Sequence, residues 1–233
     1  MGWVEHDYRD PDALARALAQ TLHLACRDAI AARGRAVLAL AGGRTPFPAY
    51  RALASMPLDW ASVVLLPSDE RCVPHDHPAC NVAELRNAFA DARGVVIESL
   101  TTQDGEPERS EAHARRRLAL YPEAFDAIVL GMGQDAHTAS LFPGAPQLHA
   151  ALDLDSAVDA MRIDPNPLPP EAPFPRISLT LSRLLGTRAL HLALTGQAKR
   201  DVLQAARASG NMARHPVAAL AEGEATVQTH WSP

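Results

Sequence analysis

Three runs of uninterrupted apolar residues constrain this chain most: AVLALA at 36–41, VVLL at 63–66 and AIVL at 127–130. A strand with one wet face alternates apolar and polar residues. These runs do not alternate, so both faces must be covered, as in a parallel sheet between layers of helices. The intervening segments read as those helices. Asp10-Pro11 supplies an N-cap and a first-turn proline, Leu14, Leu18, Leu22, Cys26 and Ile30 recur every four residues, and Gly34 offers a C-cap. A charged helix is expected over Glu108–Tyr121, with Arg115, Arg116 and Arg117 on a solvated face. Further strands are expected at Val95–Ile97, Ala157–Ile163, Ile177–Leu181 and Ala189–Leu194, and a last short one within Val217–Leu220 or Ala225–Val227. Strands and helices alternate, and no composition shift marks a linker. The sequence therefore predicts an α/β fold, a mainly parallel sheet with helices on both faces, as a single domain over 1–233.

Composition excludes several classes. At 233 residues, with 47% hydrophobic and 21% charged, the chain has the make-up of a globular protein with a sizeable core. A net charge of −5 argues against nonspecific nucleic-acid binding, while leaving room for local basic pockets. No apolar run approaches the roughly 18 residues of a membrane span, and the polar, acidic start is unlike a secretory signal. Three cysteines without a C-x-x-C pair give no disulfide framework, so the cytoplasm is the expected compartment.

The chemistry concentrates at strand ends. After 127–130 comes Gly131-Met-Gly133, then Asp135 and His137, with Phe142-Pro143-Gly144 halting a short helix. Ligands of open α/β sheets bind outside the carboxyl ends of strands, so an acid and a histidine delivered there suggest acid–base work. After 36–41, Gly42-Gly43-Arg44-Thr45, with a helix opening at Pro46, suits a phosphate. After 63–66 come Asp69, Glu70 and Arg71. Asn81 with Glu84 reads as a capping box, which leaves Asn81 a structural task. Lys199, in the first turn of a helix from Gln197, opposes the helix dipole unless an anion sits there. Six prolines between 165 and 175 make a surface loop fit to rim the site, and Arg176 follows it.

Other readings fit this pattern less well. Cys72, His75, His77 and Cys80 form a C-x2-H-x-H-x2-C cluster, but two prolines constrain it and the spacing matches no usual zinc pattern, so no metal is expected. Gly131-x-Gly133-x-x-Ala136 formally matches a dinucleotide fingerprint, yet the helix that should follow is cut short at Pro143. No G-x-S-x-G elbow occurs, which removes the common serine hydrolase layout.

Four segments together resemble the 6-phosphogluconolactonase family: LALAGGRTP (38–46), PSDERCVPHDHPACN (67–81), LGMGQDAHTASLFPG (130–144), and Arg176 with TGQAK (195–199). The resemblance implies a Rossmann-like domain, no metal or organic cofactor, and hydrolysis of 6-phosphoglucono-δ-lactone, a small molecule, in the pentose phosphate pathway. It implies His137 as catalytic base beside Asp135, Asp69 and Arg71 lining the substrate, Gly42, Gly43 and Thr45 on the phosphate side, and Arg176 and Lys199 holding the phosphate. A monomer is the working expectation. A sugar-phosphate isomerase or deaminase on the same fold, and a noncatalytic sugar-phosphate-binding module, are the competing readings. Ala136 replaces a common family glycine, which argues for a negative φ there, and Cys80 replaces a serine.

Overall fold

Residues 2–170 and 172–233 are described by the structure, a computed structural model. The three apolar runs become β2 (Ala36–Leu40), β3 (Val63–Pro67) and β6 (Ala127–Leu130). They join β1 (Trp3–Asp7), β5 (Val96–Ile97), β9 (Leu190–Thr195) and β10 (Val227–Ser232) in a seven-stranded parallel sheet, ordered β1-β10-β9-β6-β2-β3-β5. Alternate residues of each central strand feed opposite layers. Leu38, Leu40 and Val129 pack with α1 (Pro11–Arg33), α2 (Phe47–Ala54) and α3 (Asn81–Ala88). Val37, Ala39, Ile128 and Leu130 pack on the other side, with α4 (Pro107–Leu118) and α7 (Gln197–Ser209). That two-sided burial is why the runs show no alternation.

Helix α1 ends as its sequence requires. The Asp10 carboxylate accepts from Ala13 N at 2.7 Å, and Gly34 closes the helix in the left-handed region at φ 76°.

A second, three-stranded antiparallel sheet lies against the first, ordered β4 (Asp69–Arg71), β8 (Arg176–Leu179), β7 (Ala160–Ile163). Several expectations change here. Thr180 is an N-cap, not a strand residue, and begins α6 (Leu181–Leu185), after the short α5 (Leu148–Ala151). No helix follows Gly131: residues 131–144 are turns with one bridge between Thr138 and Leu141. The final strand starts at Val227, while Pro216–Glu222 forms a 3-10 turn. Arg117 is not simply solvated, since it forks onto the Glu98 carboxylate, which also accepts from the Tyr121 hydroxyl at 2.8 Å.

Strand order fixes where a site can form. From β2 the chain steps outward to β3 and β5, then returns to β6 on the other side of β2 and proceeds to β9. The carboxyl ends of β2 and β6 diverge at this switch, and a crevice opens between their loops.

Candidate active site

A cavity of about 260 Å³ occupies that crevice. The Gly42–Thr45 turn, Asp69, Arg71, Asn81, Gly131, Gly133, His137 and Lys199 line it. Loops from β2, β3, β6 and β9 thus converge on one space.

The turn after β2 presents backbone. Gly42 approaches Asn81 so closely that a Cβ would stand 2.2 Å from Oδ1, and Gly43 sits at φ 95°. Both positions require glycine, for space and for conformation respectively. Among the described residues, the N–H groups of Gly42, Gly43, Arg44 and Thr45 find no carbonyl partner. Unengaged donors at a helix entry suit an anion. The Thr45 hydroxyl meets Thr195 Oγ1 at 3.1 Å. Lys199, half-buried in the first turn of α7, has its pKa lowered first by burial and then by the charge of Arg44. Two cations close enough for one to lower the pKa of the other suit an anion that would bridge them.

The turn after β6 presents a base. His137 Nδ1 lies 2.6 Å from Asp135 Oδ1. The Asp135 carboxylate also accepts from His137 N at 3.2 Å. Asp135 stands behind the imidazole, outside the cavity lining. Burial opposes its ionisation, but the hydrogen bond and charge of His137 outweigh that and keep its pKa below the usual carboxylate value. Gly133 is glycine for space, because a Cβ would meet the imidazole at 2.3 Å. Ala136 corrects the expectation made from its side chain: it stands at φ 63°, and Ala139 at 46°. Each costs about 1 kcal/mol or more in that region. Ala136 is held there because its N donates to Gly133 O, its O accepts from Val217 N, and its methyl is fully buried.

The Asp69–Arg71 strand separates its side chains by parity. Asp69 and Arg71 face the cavity. Asp69 is fixed by the hydroxyls of Ser68 at 3.1 Å and Ser140 at 2.5 Å, and Arg71 Nη1 donates to Ala79 O at 2.7 Å. Glu70 points away and is fully buried. It accepts from Arg71 N, Asn81 N and Val82 N at 2.7–2.8 Å, capping α3. Burial pushes its carboxyl up to about 7, against the pull of those three donors.

Two assignments therefore move. Asn81 is not an N-cap; Cys80 occupies that place, and the cap is supplied by Glu70 from another strand. Asn81 instead lines the cavity, donating Nδ2 to Asp69 O at 2.7 Å, with Oδ1 buried and unpartnered. Arg176 is not brought to the cavity. Its guanidinium, buried and lowered to about 10 by desolvation, donates to Phe174 O and Ala172 O. The cysteine–histidine cluster is dispersed into other bonds. His75 meets Thr101 and Ser99, His77 accepts from Ala79 N, and Cys80 donates to Glu70. Among the described residues, no group of three or more His, Cys, Asp or Glu side chains is placed to hold a metal.

Sequence reasoning missed Asn81 and Glu70. A signal existed for Glu70: an acid between two cavity-facing residues of a strand must point to the opposite side. Asn81 was hidden because its spacing to Glu84 also satisfies a cap.

Strand order and cavity together define a doubly wound α/β protein whose cavity opens outside the carboxyl ends of parallel strands, where this class of fold takes its ligands. Comparison narrows the class. A family described as glucosamine-6-phosphate isomerases/6-phosphogluconolactonase matches residues 9–231, and the chain belongs to it. The chain is 37% identical over 234 residues to a 6-phosphogluconolactonase of Rhizobium meliloti, covering 98% of each. It is 37% identical over 233 residues to one of Pseudomonas putida, covering 98% of this chain and 92% of that one. The crystal structure of a 6-phosphogluconolactonase from Shewanella baltica matches with a TM-score of 0.92 at 31% identity, over 99% of this chain and 98% of that one. The family description spans two reactions, so the site must choose between them. Among the described residues, no helix is long and apolar enough to cross a membrane.

Proposed function

We propose that the protein hydrolyses 6-phospho-D-glucono-1,5-lactone to 6-phospho-D-gluconate, the second step of the oxidative pentose phosphate pathway. One observation carries the reading. A histidine paired at 2.6 Å with a carboxylate faces the same cavity as a glycine turn with unengaged N–H groups and a half-buried lysine. That arrangement supplies a base at one end and a phosphate grip at the other. The names of relatives 37% identical over nearly the whole chain support the lactone as substrate.

The chemistry follows from the pair. With Nδ1–H donated to Asp135, the imidazole keeps its Nε2 lone pair free to accept a proton. His137 takes a proton from water as its oxygen bonds to C1, and the carbonyl electrons move onto oxygen. Backbone N–H groups of the glycine turns, or Arg71, stabilise that oxyanion. Collapse breaks the bond from C1 to the ring oxygen, which receives the proton from His137 and becomes the C5 hydroxyl. A lactone is an activated ester, so no covalent enzyme intermediate is required. Phosphate held by Gly42, Gly43, Arg44, Thr45 and Lys199 anchors the far end of the sugar and fixes C1 against the base. Asp69 and Asn81 line the same cavity and are available to the sugar hydroxyls.

The same reading makes residues 1–233 one catalytic unit, working as a cytoplasmic monomer without a resident metal or organic cofactor. Three free cysteines, two of them buried, support a reducing compartment. The deciding experiment measures lactone consumption over the spontaneous background. Acceleration of the phosphorylated lactone is the expected result, and a rate no faster than buffer would remove the reading.

A further inference from the structure

Arg176 does not line the cavity, although it lies beside Asp69 and Arg71, which do, and its surroundings give it another task. It opens β8 opposite Arg71 and is 3% exposed. Nη1 donates to Phe174 O at 2.9 Å and Nη2 to Ala172 O at 2.8 Å, so two arms of the fork hold carbonyls of the proline-rich segment. The guanidinium carbon also lies 5.9 Å from the centre of the Phe142 ring. That ring stands 4.2 Å from the His137 imidazole, tilted by 33°. Neighbouring atoms of the base turn are fastened to the same small sheet, with Ser140 N donating to Ser178 Oγ at 3.2 Å and Ser140 Oγ to Asp69. A buried guanidinium needs acceptors, and only a planar one can fork onto carbonyls while lying near a ring.

We infer that Arg176 is a positioning residue, clamping the proline-rich segment to Phe142 and, through that ring, fixing the plane of the His137 imidazole. The inference rests on His137 being the general base. It differs from a phosphate-ligand role in what it moves: kcat, and not affinity for the phosphate.

The test pairs turnover with binding of 6-phosphogluconate, measured by NMR titration. Arg176→Gln should lower kcat about tenfold or more and leave the product's Kd within twofold of wild type. Lys199→Ala should weaken product binding instead. A tenfold loss of product affinity in Arg176→Gln with kcat intact would make the arginine a phosphate ligand and overturn the inference, as would wild-type values for both quantities. Phe142→Leu leaves the arginine and its carbonyl bonds in place, and serves where Arg176→Gln does not fold. It should reproduce the fall in kcat with product affinity unchanged, and an unchanged kcat refutes the clamp. Should wild type fail to hydrolyse the lactone, the base reading falls separately. The imidazole 15N resonances of His137 then decide: they should shift in Arg176→Gln and Phe142→Leu but not in Lys199→Ala, and unshifted resonances in the first two overturn the inference.

Discussion

The two ends of the cavity are built by opposite means. At the phosphate end Gly42 is packed against Asn81, but the turn then opens: nothing lies within 4 Å of where a Cβ on Gly43 would be, and successive N–H groups are unengaged. At the base end the chain is crowded. Gly133 cannot carry a methyl without striking His137, two alanines occupy the left-handed region, and Thr138 and Ser140 spend their hydroxyls on Gly131 O and Asp69. An anion brings charge and tolerates a flexible host, so an open cradle with backbone donors is enough. A general base must hold one tautomer in one orientation, so its turn is over-determined, and strain there is offset by neighbouring contacts.

If that contrast is right, damage at the two ends should appear in different kinetic constants. The largest effect belongs to His137→Ala, expected to lower kcat by roughly 10²–10⁴ while 6-phosphogluconate still binds. A variant within threefold of wild type would hand the base to Asp69 or Asp135. Gly133→Ala should come next, with kcat down about 10²-fold, because a displacement near 1 Å at the reacting groups has that consequence. A crystal structure of that variant should show the imidazole displaced. At the other end, Lys199→Ala should raise KM for the phosphorylated lactone by roughly 10- to 100-fold, matching about 1.5–3 kcal/mol for a charge-assisted bond. Equal kcat losses at both ends would erase the distinction.

The phosphate end should also respond to pH. Lys199 already sits below the ordinary lysine value, through burial and then Arg44, so its charge is lost sooner on the alkaline side. A bound phosphate favours the charged lysine. Product affinity should therefore decline as pH rises towards 10.5, over a range where kcat does not fall, and isothermal titration at several pH values reads this directly. The smallest effect is Ala136→Gly. Relief of about 1 kcal/mol of strain is offset by loss of a buried methyl worth about 0.8 kcal/mol, so thermal stability should stay within about 1 kcal/mol of wild type.

Legibility followed the range of the interactions. The parallel core was readable because each central strand announces its own burial, and the glycine turns, Asp135, His137 and Lys199 sit directly at strand or helix ends. Two strands of the antiparallel sheet were readable too, but not the pairing with β4, since Asp69–Arg71 meets Arg176–Ser178, more than a hundred positions away. That single pairing sets Arg176 beside Arg71 and leaves Glu70, on the opposite face of its strand, available to cap α3. β1 escaped notice because WVEHD is polar and half exposed, typical of an edge strand. Ala136 could not be read from its side chain, because its backbone is held by partners at Gly133 and Val217.

The placement of β10 has a consequence for how this chain is made. β10 lies between β1 and β9, and Trp3 pairs with Val227 in parallel register. A ribosome adding about 5–20 residues per second takes roughly 11–45 s to travel from one partner to the other. Throughout that interval the first strand has emerged without its neighbour, while β2, β3 and β6 can already assemble. Vectorial synthesis therefore leaves one edge of the nascent sheet open until the last strand slides in, and chaperone dependence should concentrate there.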